Sequence, residues 1–398
     1  LIFSSYVLFN LIGISLFARL SDKFGRRNIY IIALSIFAFG SLIVSLIHDF
    51  NWLIVGRAIQ GFGASGIFPV ASALVGDLFP VEKRGRILGL IGAVFGLAFL
   101  LGPFIAGFLL SYFSWNFLFI INLPIAAVLI FYSFKILPSQ SVVKNIKMDW
   151  RGIIALGIAL AAFTYGMNSI NGYQLSSFIQ LKVMIPFIIA ASAFIFLILS
   201  EKHIEYPILK LSFFKNSQIL IAGILAVVTG LIQACFVFIP KFVIHEFDVE
   251  ASTASFMLTP FVLATAVGSP LFGRMIDKIG VKWVVIIGLS FLSLGFFFLS
   301  QVDGRLVFYY MSGVFVGLGL SILSGSSLRY ILLNNTSAED RSTSQGLITI
   351  FTSVGQITGS ALIGILLTSA KNGFHINFVG IAIITAGMLL VSLKLKNR

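Results

Sequence analysis

Long runs of apolar residues follow one another along this chain, and short polar stretches separate them. A helix needs about 20 mostly apolar residues to cross the hydrocarbon core of a bilayer. Because lipid offers the backbone no hydrogen-bond partners, each run of that length is expected to be a helix. The pattern predicts thirteen spans, centred near Phe9, Ala38, Gly63, Ala98, Ala126, Leu160, Ala191, Val228, Val262, Leu292, Phe315, Thr352 and Ile384.

The composition supports a membrane protein and excludes several other classes. Of the 398 residues, 58% are hydrophobic and only 10% are charged, whereas a soluble domain carries roughly 25% charged residues. The single cysteine, Cys235, excludes a disulfide framework and a cysteine-based zinc site, and the four histidines fall in different loops. No Ser/His/Asp set and no phosphate loop stands out. We therefore expect no catalytic residues, no metal and no cofactor, and a protein that is not an enzyme.

The lysine and arginine residues are distributed unevenly between the two sides of the predicted membrane. Loops on one side, with the C-terminal tail, hold 22 of them, the opposite loops hold four, and one lies inside a span. By the positive-inside rule the richer side is cytoplasmic, which predicts a multi-pass protein of the cytoplasmic membrane with a cytoplasmic C-terminus. The membrane also accounts for the net charge of +13, so no nucleic-acid partner is expected. An odd number of spans places Leu1 outside, and we expect a further helix before it.

Arg57 is the only ionisable residue that this assignment places within a span, since Arg329 and all 14 acidic residues fall in loops or at span ends. A charge within the membrane is expensive and usually functional. Gln60 follows three residues later and shares the same helix face. The alternative is that Arg57 extends toward the membrane surface near Trp52. A proton-coupling acid would have to lie in the helix expected before the chain, or be absent.

The sequence contains an internal repeat. The segment ARLSDKFGRR at 18–27 recurs as GRMIDKIGVK at 273–282, an offset of 255. Further pairs keep an offset of 256 or 257: Gly61 with Gly317, Gly63 with Gly319, Arg84 with Arg341, and Gly102 with Gly359. Two related halves are common in transporters, whose site lies where the halves meet. We predict an N-terminal bundle at 1–137, a linker with a central helix pair at 138–215, and a C-terminal six-helix bundle at 216–398.

Several motifs give the chain a family resemblance. The loop up to Arg27 fits G-x-L-x-D-x-x-G-R-[RK], with Ala18 in place of the first glycine, and R-x-x-Q-G-x-G-A is present from Arg57 to Ala64. A glycine-rich helix and a partial W-R-W-x-F-x-x-N-x-P pattern follow, with Asn116 and Phe117 replacing Arg-Trp. These motifs resemble the major facilitator superfamily, and most closely its fourteen-helix drug:proton antiporter family.

The resemblance implies an all-α fold in which two pseudo-symmetric six-helix bundles enclose a central cavity, with two extra helices between them. The cavity would open alternately to each face of the membrane. The implied function is export of lipophilic small molecules or drugs in exchange for protons, with the proton gradient as energy source. The partners would be a small lipophilic substrate, protons and the lipid bilayer, and we expect a monomer. An importer or metabolite exporter of the same fold is the alternative.

The resemblance also implies roles for particular residues. A cytoplasmic latch that stabilises the outward-open state would include Asp22, Gly25, Arg26, Arg27, Asp277 and Gly280. Ordinary basic residues of a cytoplasmic loop are the alternative. The expected proton or substrate path contains Arg57 and Gln60.

Two more groups of residues are candidates by resemblance. An antiporter motif that seals the interface between the halves would comprise Gly92, Gly96, Gly102, Pro103 and Gly107. Generic small-residue packing is the alternative. The candidates for the border of the cavity are Asn10, Gln233 and Gln356, which could equally make hydrogen bonds between helices.

Overall fold

The computed structural model describes residues 2–47, 49–138, 149–170, 179–201, 204, 210–369 and 372–397, and within these ranges the chain is helical with no strand. The α-helices are α1 Ile2–Phe24, α2 Arg26–Leu46, α3 Phe50–Leu78, α4 Val81–Tyr112, α5 Phe117–Ile120, α6 Asn122–Ile136, α7 Trp150–Asn168, α8 Leu181–Glu201, α9 Ser217–Phe247, α10 Ala251–Phe256, α11 Thr259–Ile279, α12 Val281–Ser300, α13 Leu306–Leu320, α14 Leu328–Asn335, α15 Arg341–Ser369 and α16 Gly373–Ser392. Two 3-10 helices, Leu211–Lys215 and Ala338–Asp340, and a π-helix, Ser321–Ser327, complete the described elements.

These helices form about thirteen membrane-length segments, as the hydropathy pattern predicts. Eleven segments of the described chain are long and apolar enough to cross a bilayer. Two more long helices, α1 with 23 residues and α4 with 32, contain the remaining predicted centres. The prediction of an all-α polytopic membrane protein is confirmed.

Polar residues in the breaks between the apolar runs set where several helices begin. The Asp49 carboxylate accepts hydrogen bonds from the backbone N–H groups of Asn51 and Trp52 at the start of α3, at 3.0 and 3.2 Å. Asp149 caps α7 through the Gly152 N–H at 2.8 Å. These side chains satisfy N–H groups that have no partner inside the helix. The acidic residues at span ends therefore include helix caps.

The two copies of the repeated loop have the same backbone geometry. Gly25, between α1 and α2, has φ 90° and ψ 143°, and Gly280, between α11 and α12, has φ 88° and ψ 158°. Residues that have a Cβ rarely adopt a positive φ, which explains why glycine occurs at both positions. The match in conformation, 255 residues apart, supports a structural as well as a sequence repeat.

Contacts between the halves follow the same repeat. We call α1–α6 the first half and α9–α16 the second half. The principal packings between them pair α1 with α15 and α11 with α4. The repeat offset carries α1 onto α11 and α4 onto α15, so these two packings are equivalent. The halves are thus related as a pseudo-twofold pair, with α7 and α8 packed on each other and α7 also packed against α1.

Candidate functional site

One end of the molecule, which contains Asp22 and Asp277 and which we call the latch end, concentrates the polar contacts between the halves. The Asp22 side chain is fully buried and pairs with Arg26. It accepts hydrogen bonds from the backbone N–H groups of Ser342 and Thr343 at 3.1 and 3.0 Å, and from the Thr343 hydroxyl at 2.6 Å. Those N–H groups belong to the first turn of α15, where the helix dipole favours a negative charge.

Asp277 makes the equivalent contact in the opposite direction. Its two carboxylate oxygens accept hydrogen bonds from the backbone N–H groups of Gly85 and Arg86, in the first turns of α4, at 2.9 and 2.8 Å. A Cβ at Gly85 would lie 2.5 Å from the carbonyl oxygen of Gly273, so α4 and α11 touch backbone to backbone here. A carboxylate at the end of α1 or α11 therefore binds backbone N–H groups near the start of a helix of the other half.

Asp77, at the end of α3, is shared by arginines of both halves. Arg26 donates from Nε to one carboxylate oxygen at 2.7 Å, and Arg341 donates from Nη1 to the other at 2.6 Å. Arg26 also reaches the second half, donating to the Ala338 carbonyl at 3.0 Å and to the Ser342 hydroxyl at 2.8 Å. Asp22, Arg26, Asp77 and Arg341 therefore form one connected network of charges across the interface.

Two further groups extend this network. Arg84 donates to the Asn334 side chain at 2.6 Å and to the Gly76 carbonyl at 2.8 Å. Asp340 binds Arg19 of the first half at 3.2 Å and Lys210, which follows the central helix pair, at 2.5 Å. Sequence reasoning did not select Arg19, Asp77 or Asp340 as site residues. For Arg84 and Arg341, the sequence did offer a signal, because the two arginines occupy matching positions of the repeat.

The structure brings together three of the six residues expected at the latch. Asp22, Arg26 and Asp277 make contacts between the halves as described. Arg27 lies apart from those contacts, donating to the Leu137 carbonyl of the first half at 3.4 Å. Gly280 packs against the C-terminal tail, and a Cβ there would lie 2.1 Å from the Asn397 side-chain oxygen.

Arg57 points into the first half and not toward the membrane surface. Its guanidinium donates to the Gln60 side-chain oxygen and stacks on the Tyr6 ring at 4.3 Å, with Phe119 at 5.6 Å. The buried Gln60 in turn donates to the Ser41 hydroxyl at 2.7 Å. Arg57 and Gln60 thus form a pair, as their spacing predicts, within a network that links α1, α2, α3 and α5.

The sequence-based assignment of Arg329 to a loop is corrected by the structure. Arg329 lies in α14, within the membrane-length segment Leu306–Asn335, and is 7% exposed. Its guanidinium stacks on the Phe68 ring of the first half at 3.9 Å. The assignment to a loop was wrong because the polar run that follows Arg329 reads as a loop, whereas the π-helix and α14 continue the helical segment to Asn335.

The glycine-rich helix α4 crosses between the halves. A Cβ at Gly92 would lie 2.7 Å from Cα of Gly325 in the π-helix, so no larger residue fits without a shift of the backbone. A Cβ at Gly102 would meet no other described residue within 4 Å outside its own stretch of helix. Gly96, Pro103 and Gly107 lie in α4, but their surroundings fall outside the described part of the structure. The close interface contact of this motif is therefore placed at Gly92.

Two of the three cavity candidates make hydrogen bonds between helices of one half. Asn10 donates to the Gly61 carbonyl at 3.2 Å, which joins α1 to α3. Gln233 donates to the Ser324 hydroxyl at 3.0 Å, which joins α9 to the π-helix. Gln356 is exposed on α15. These contacts favour the packing alternative for Asn10 and Gln233.

Membrane-length helices in two related halves, joined at one end by exchanged carboxylate contacts, define a membrane transporter built from a structural repeat. A family model described as Major Facilitator Superfamily matches residues 1–239 and 222–398. The chain belongs to the major facilitator superfamily, whose members are transporters and not enzymes.

Relatives and solved structures agree with this assignment. Multidrug resistance protein 3 of Bacillus subtilis is 30% identical over 375 residues, which cover 92% of this chain and 72% of the relative. The multidrug transporter protein MdtP of the same organism is 25% identical over 374 residues, 93% and 68% of the two chains. The human organic anion transporter MFSD10 superimposes with a TM-score of 0.71 at 16% identity, covering 98% of this chain and 82% of that chain. These relatives fit the resemblance to the drug:proton antiporter family.

Proposed function

We propose that this transporter exports lipophilic small molecules in exchange for protons, by alternating access between its two halves. The observation that carries the proposal is the paired exchange at the latch end, Asp22 to the start of α15 and Asp277 to the start of α4. Both contacts join the halves at the same end. A rocking motion that opens this end would have to break both together, and closing it would restore both.

The proposed direction of transport is supported by the charge distribution and the latch. The excess of lysine and arginine on one side of the predicted membrane favours a cytoplasmic latch end. The latch then stabilises the conformation that is closed to the cytoplasm and open to the outside. A substrate is released outward in that conformation, and protons can enter from the same side.

Export of drug-like compounds is supported by the names of the relatives above. A metabolite exporter or importer of the same fold is the second candidate. The observation that favours it is a 27% identity over 333 residues to the riboflavin transporter RibZ of Clostridioides difficile, covering 83% of this chain and 71% of the relative.

Arg57, Gln60 and Tyr6 are the residues we assign to the proton path. The cluster is partly buried, charged and hydrogen-bonded from helix to helix, which suits a group that responds to a proton. It lies within the first half and away from the latch contacts. A chemical change there could therefore be transmitted to the latch through α3, which carries both Arg57 and Asp77.

Inside-out membrane vesicles test the proposal. With an inward-acid gradient, wild-type vesicles should accumulate a lipophilic fluorescent dye, and the double variant Asp22→Asn with Asp277→Asn should lose most of that accumulation. Asp248→Asn is the matched control, because Asp248 is exposed in a break between helices and asparagine tolerates its positive φ of 49°. No gradient-dependent movement of dye by the wild type would contradict the exporter.

A further inference from the structure

Arg329 is a buried cation that has no anionic partner among the residues the structure describes. None of the ion pairs in that part of the chain includes it, and its Nε has no hydrogen-bond partner there. The two Nη atoms donate only long bonds, both 3.3 Å, to neutral oxygens of Gln345 and Thr349. Burial of an ion is compensated only by a well-placed opposite charge and hydrogen bonds. A bound anion would supply the opposite charge that Arg329 lacks among the described residues.

The surroundings of Arg329 come from both halves. Phe68 of α3 lies under the guanidinium, while Gln345 and Thr349 belong to α15. A Cβ at Gly76, two turns beyond Phe68, would lie 2.7 Å from the side chain of Leu333. This face of α3 therefore runs along α14. Because the two halves move relative to each other during transport, a ligand held here would be exposed to that motion.

Hydroxyl groups without partners lie in the same region. Ser72 is on the face of α3 that carries Phe68, one helical turn further on. Ser326 and Ser327 are in the π-helix immediately before Arg329. All three hydroxyls are buried, and none has a hydrogen-bond partner among the described residues. Helical segments of the π type are frequent at functional sites. Buried donors that are unused in the same region as a buried cation are suited to binding an oxyanion.

We propose that Arg329 binds the anionic group of an amphiphilic substrate, a carboxylate or sulfonate, and that the transporter prefers lipophilic anions to lipophilic cations. This inference rests on the proposed function. A guanidinium presents a planar fork of donors that matches a carboxylate, and the Phe68 ring beneath it suits the apolar part of such a molecule.

Arg57 is a second cation, and it lies on the face of α3 that carries Phe68. Its charge supports the preference for anionic substrates. Arg57 and Phe68 are 11 residues apart, and at about 100° and 1.5 Å per residue they lie on one helix face roughly 17 Å apart. The acidic residues of the described helices lie at or near helix ends. The face of α3 between the two positions therefore carries positive charge and attracts negative charge.

Three probes of similar shape and different charge test this preference: 1-naphthoate, its uncharged amide 1-naphthamide, and 1-naphthylmethylammonium. Binding of each radiolabelled probe is measured by equilibrium dialysis on the full chain in lipid nanodiscs at pH 7. The wild type should bind naphthoate most tightly and the ammonium compound most weakly. Arg329→Gln should weaken naphthoate binding by about tenfold and leave the amide unchanged, because one charge-assisted contact is lost. Arg329→Lys should restore part of the affinity.

Arg151→Gln is the matched control, since Arg151 is exposed at the start of α7, and it should bind all three probes as the wild type does. Thermal unfolding confirms that Arg329→Gln is folded; a variant that unfolds is replaced in the comparison by Arg329→Lys. Equal binding of naphthoate to wild type and to the folded variant overturns the inference, as does tighter binding of the ammonium probe.

Chloride and phosphate distinguish a substrate group from a free inorganic anion. Up to 100 mM of either salt should leave naphthoate affinity within about twofold, at constant ionic strength. Displacement of naphthoate at millimolar concentration, with Arg329-dependent thermal stabilisation by the salt itself, would assign the site to an inorganic anion and overturn the substrate assignment. Loss of the anion preference with dye export intact contradicts this inference alone, whereas absence of all gradient-driven transport contradicts the proposed function.

Discussion

The latch end and the region around Arg329 both bury charge between the halves, and they do so in opposite ways. At the latch end the buried carboxylate of Asp22 has an arginine partner and three further hydrogen bonds. Arg329 has two long bonds to neutral groups and no counter-charge in the described chain. A satisfied network stabilises one conformation, whereas an unsatisfied charge leaves binding capacity for a ligand. We therefore assign the latch end to stabilising a conformation and Arg329 to binding a ligand.

Asp22→Ala should have the largest effect on stability. Removal of the carboxylate leaves Arg26 buried without one of its partners, and breaking a buried pair costs about 3–5 kcal/mol. The free energy of unfolding, measured by SDS titration in mixed micelles, should fall by that amount. A loss below about 1 kcal/mol would show that the latch is no better satisfied than an exposed ion pair.

Asp277→Ala should cost less than Asp22→Ala. Asp277 is only half-buried and accepts two backbone hydrogen bonds near the start of α4, and no salt bridge within the described residues includes it. Hydrogen bonds to charged groups contribute about 1.5–3 kcal/mol, and water can replace part of them here. The same SDS titration should therefore rank the two variants. The reverse order would mean that the two copies of the latch contribute differently from what their contacts indicate.

Thr343→Val and Ser326→Ala compare a hydroxyl in each region and should have the smallest effects. The Thr343 hydroxyl donates to the Asp22 carboxylate at 2.6 Å, so its loss should reduce the free energy of unfolding by about 1.5–3 kcal/mol. The Ser326 hydroxyl has no partner in the described chain, and its removal should leave stability unchanged or slightly raised. A large loss in Ser326→Ala would show that this hydroxyl is already engaged and would remove one support for the anion site.

Much of the fold could be predicted from the sequence, because apolar length and internal repetition are local or periodic signals. All thirteen predicted centres fall in long helices, and the spacing of Asp22 to Gly25 correctly marked a turn that recurs at Gly280. The residues that receive each carboxylate could not be predicted from that loop. Ser342 lies 320 residues beyond Asp22, and a backbone N–H carries no sequence signature.

The site was harder to predict where the local signal was misleading. Arg329 precedes a polar run, so its position reads as a loop until the helix is seen to continue. Arg27 carries the motif's last charge, yet it donates to Leu137 because the next residue along α2 points about 100° away from Arg26. Gly92 lies close to Gly325, which is more than 230 residues away, and this contact became apparent only from the packing.

The π-helix also lies where the two halves differ in length by one residue. From Gly63 to Arg84 the first half has 21 steps along the chain, and from Gly319 to Arg341, the matching stretch, the second half has 22. A π-helical turn closes its hydrogen bond one residue later than an α-helical turn, so it accommodates a single additional residue without breaking the helix. The segment Ser321–Ser327 accounts for the extra residue. The second half thus keeps a continuous helical segment here while its side chains take a different angular register from those of the first half.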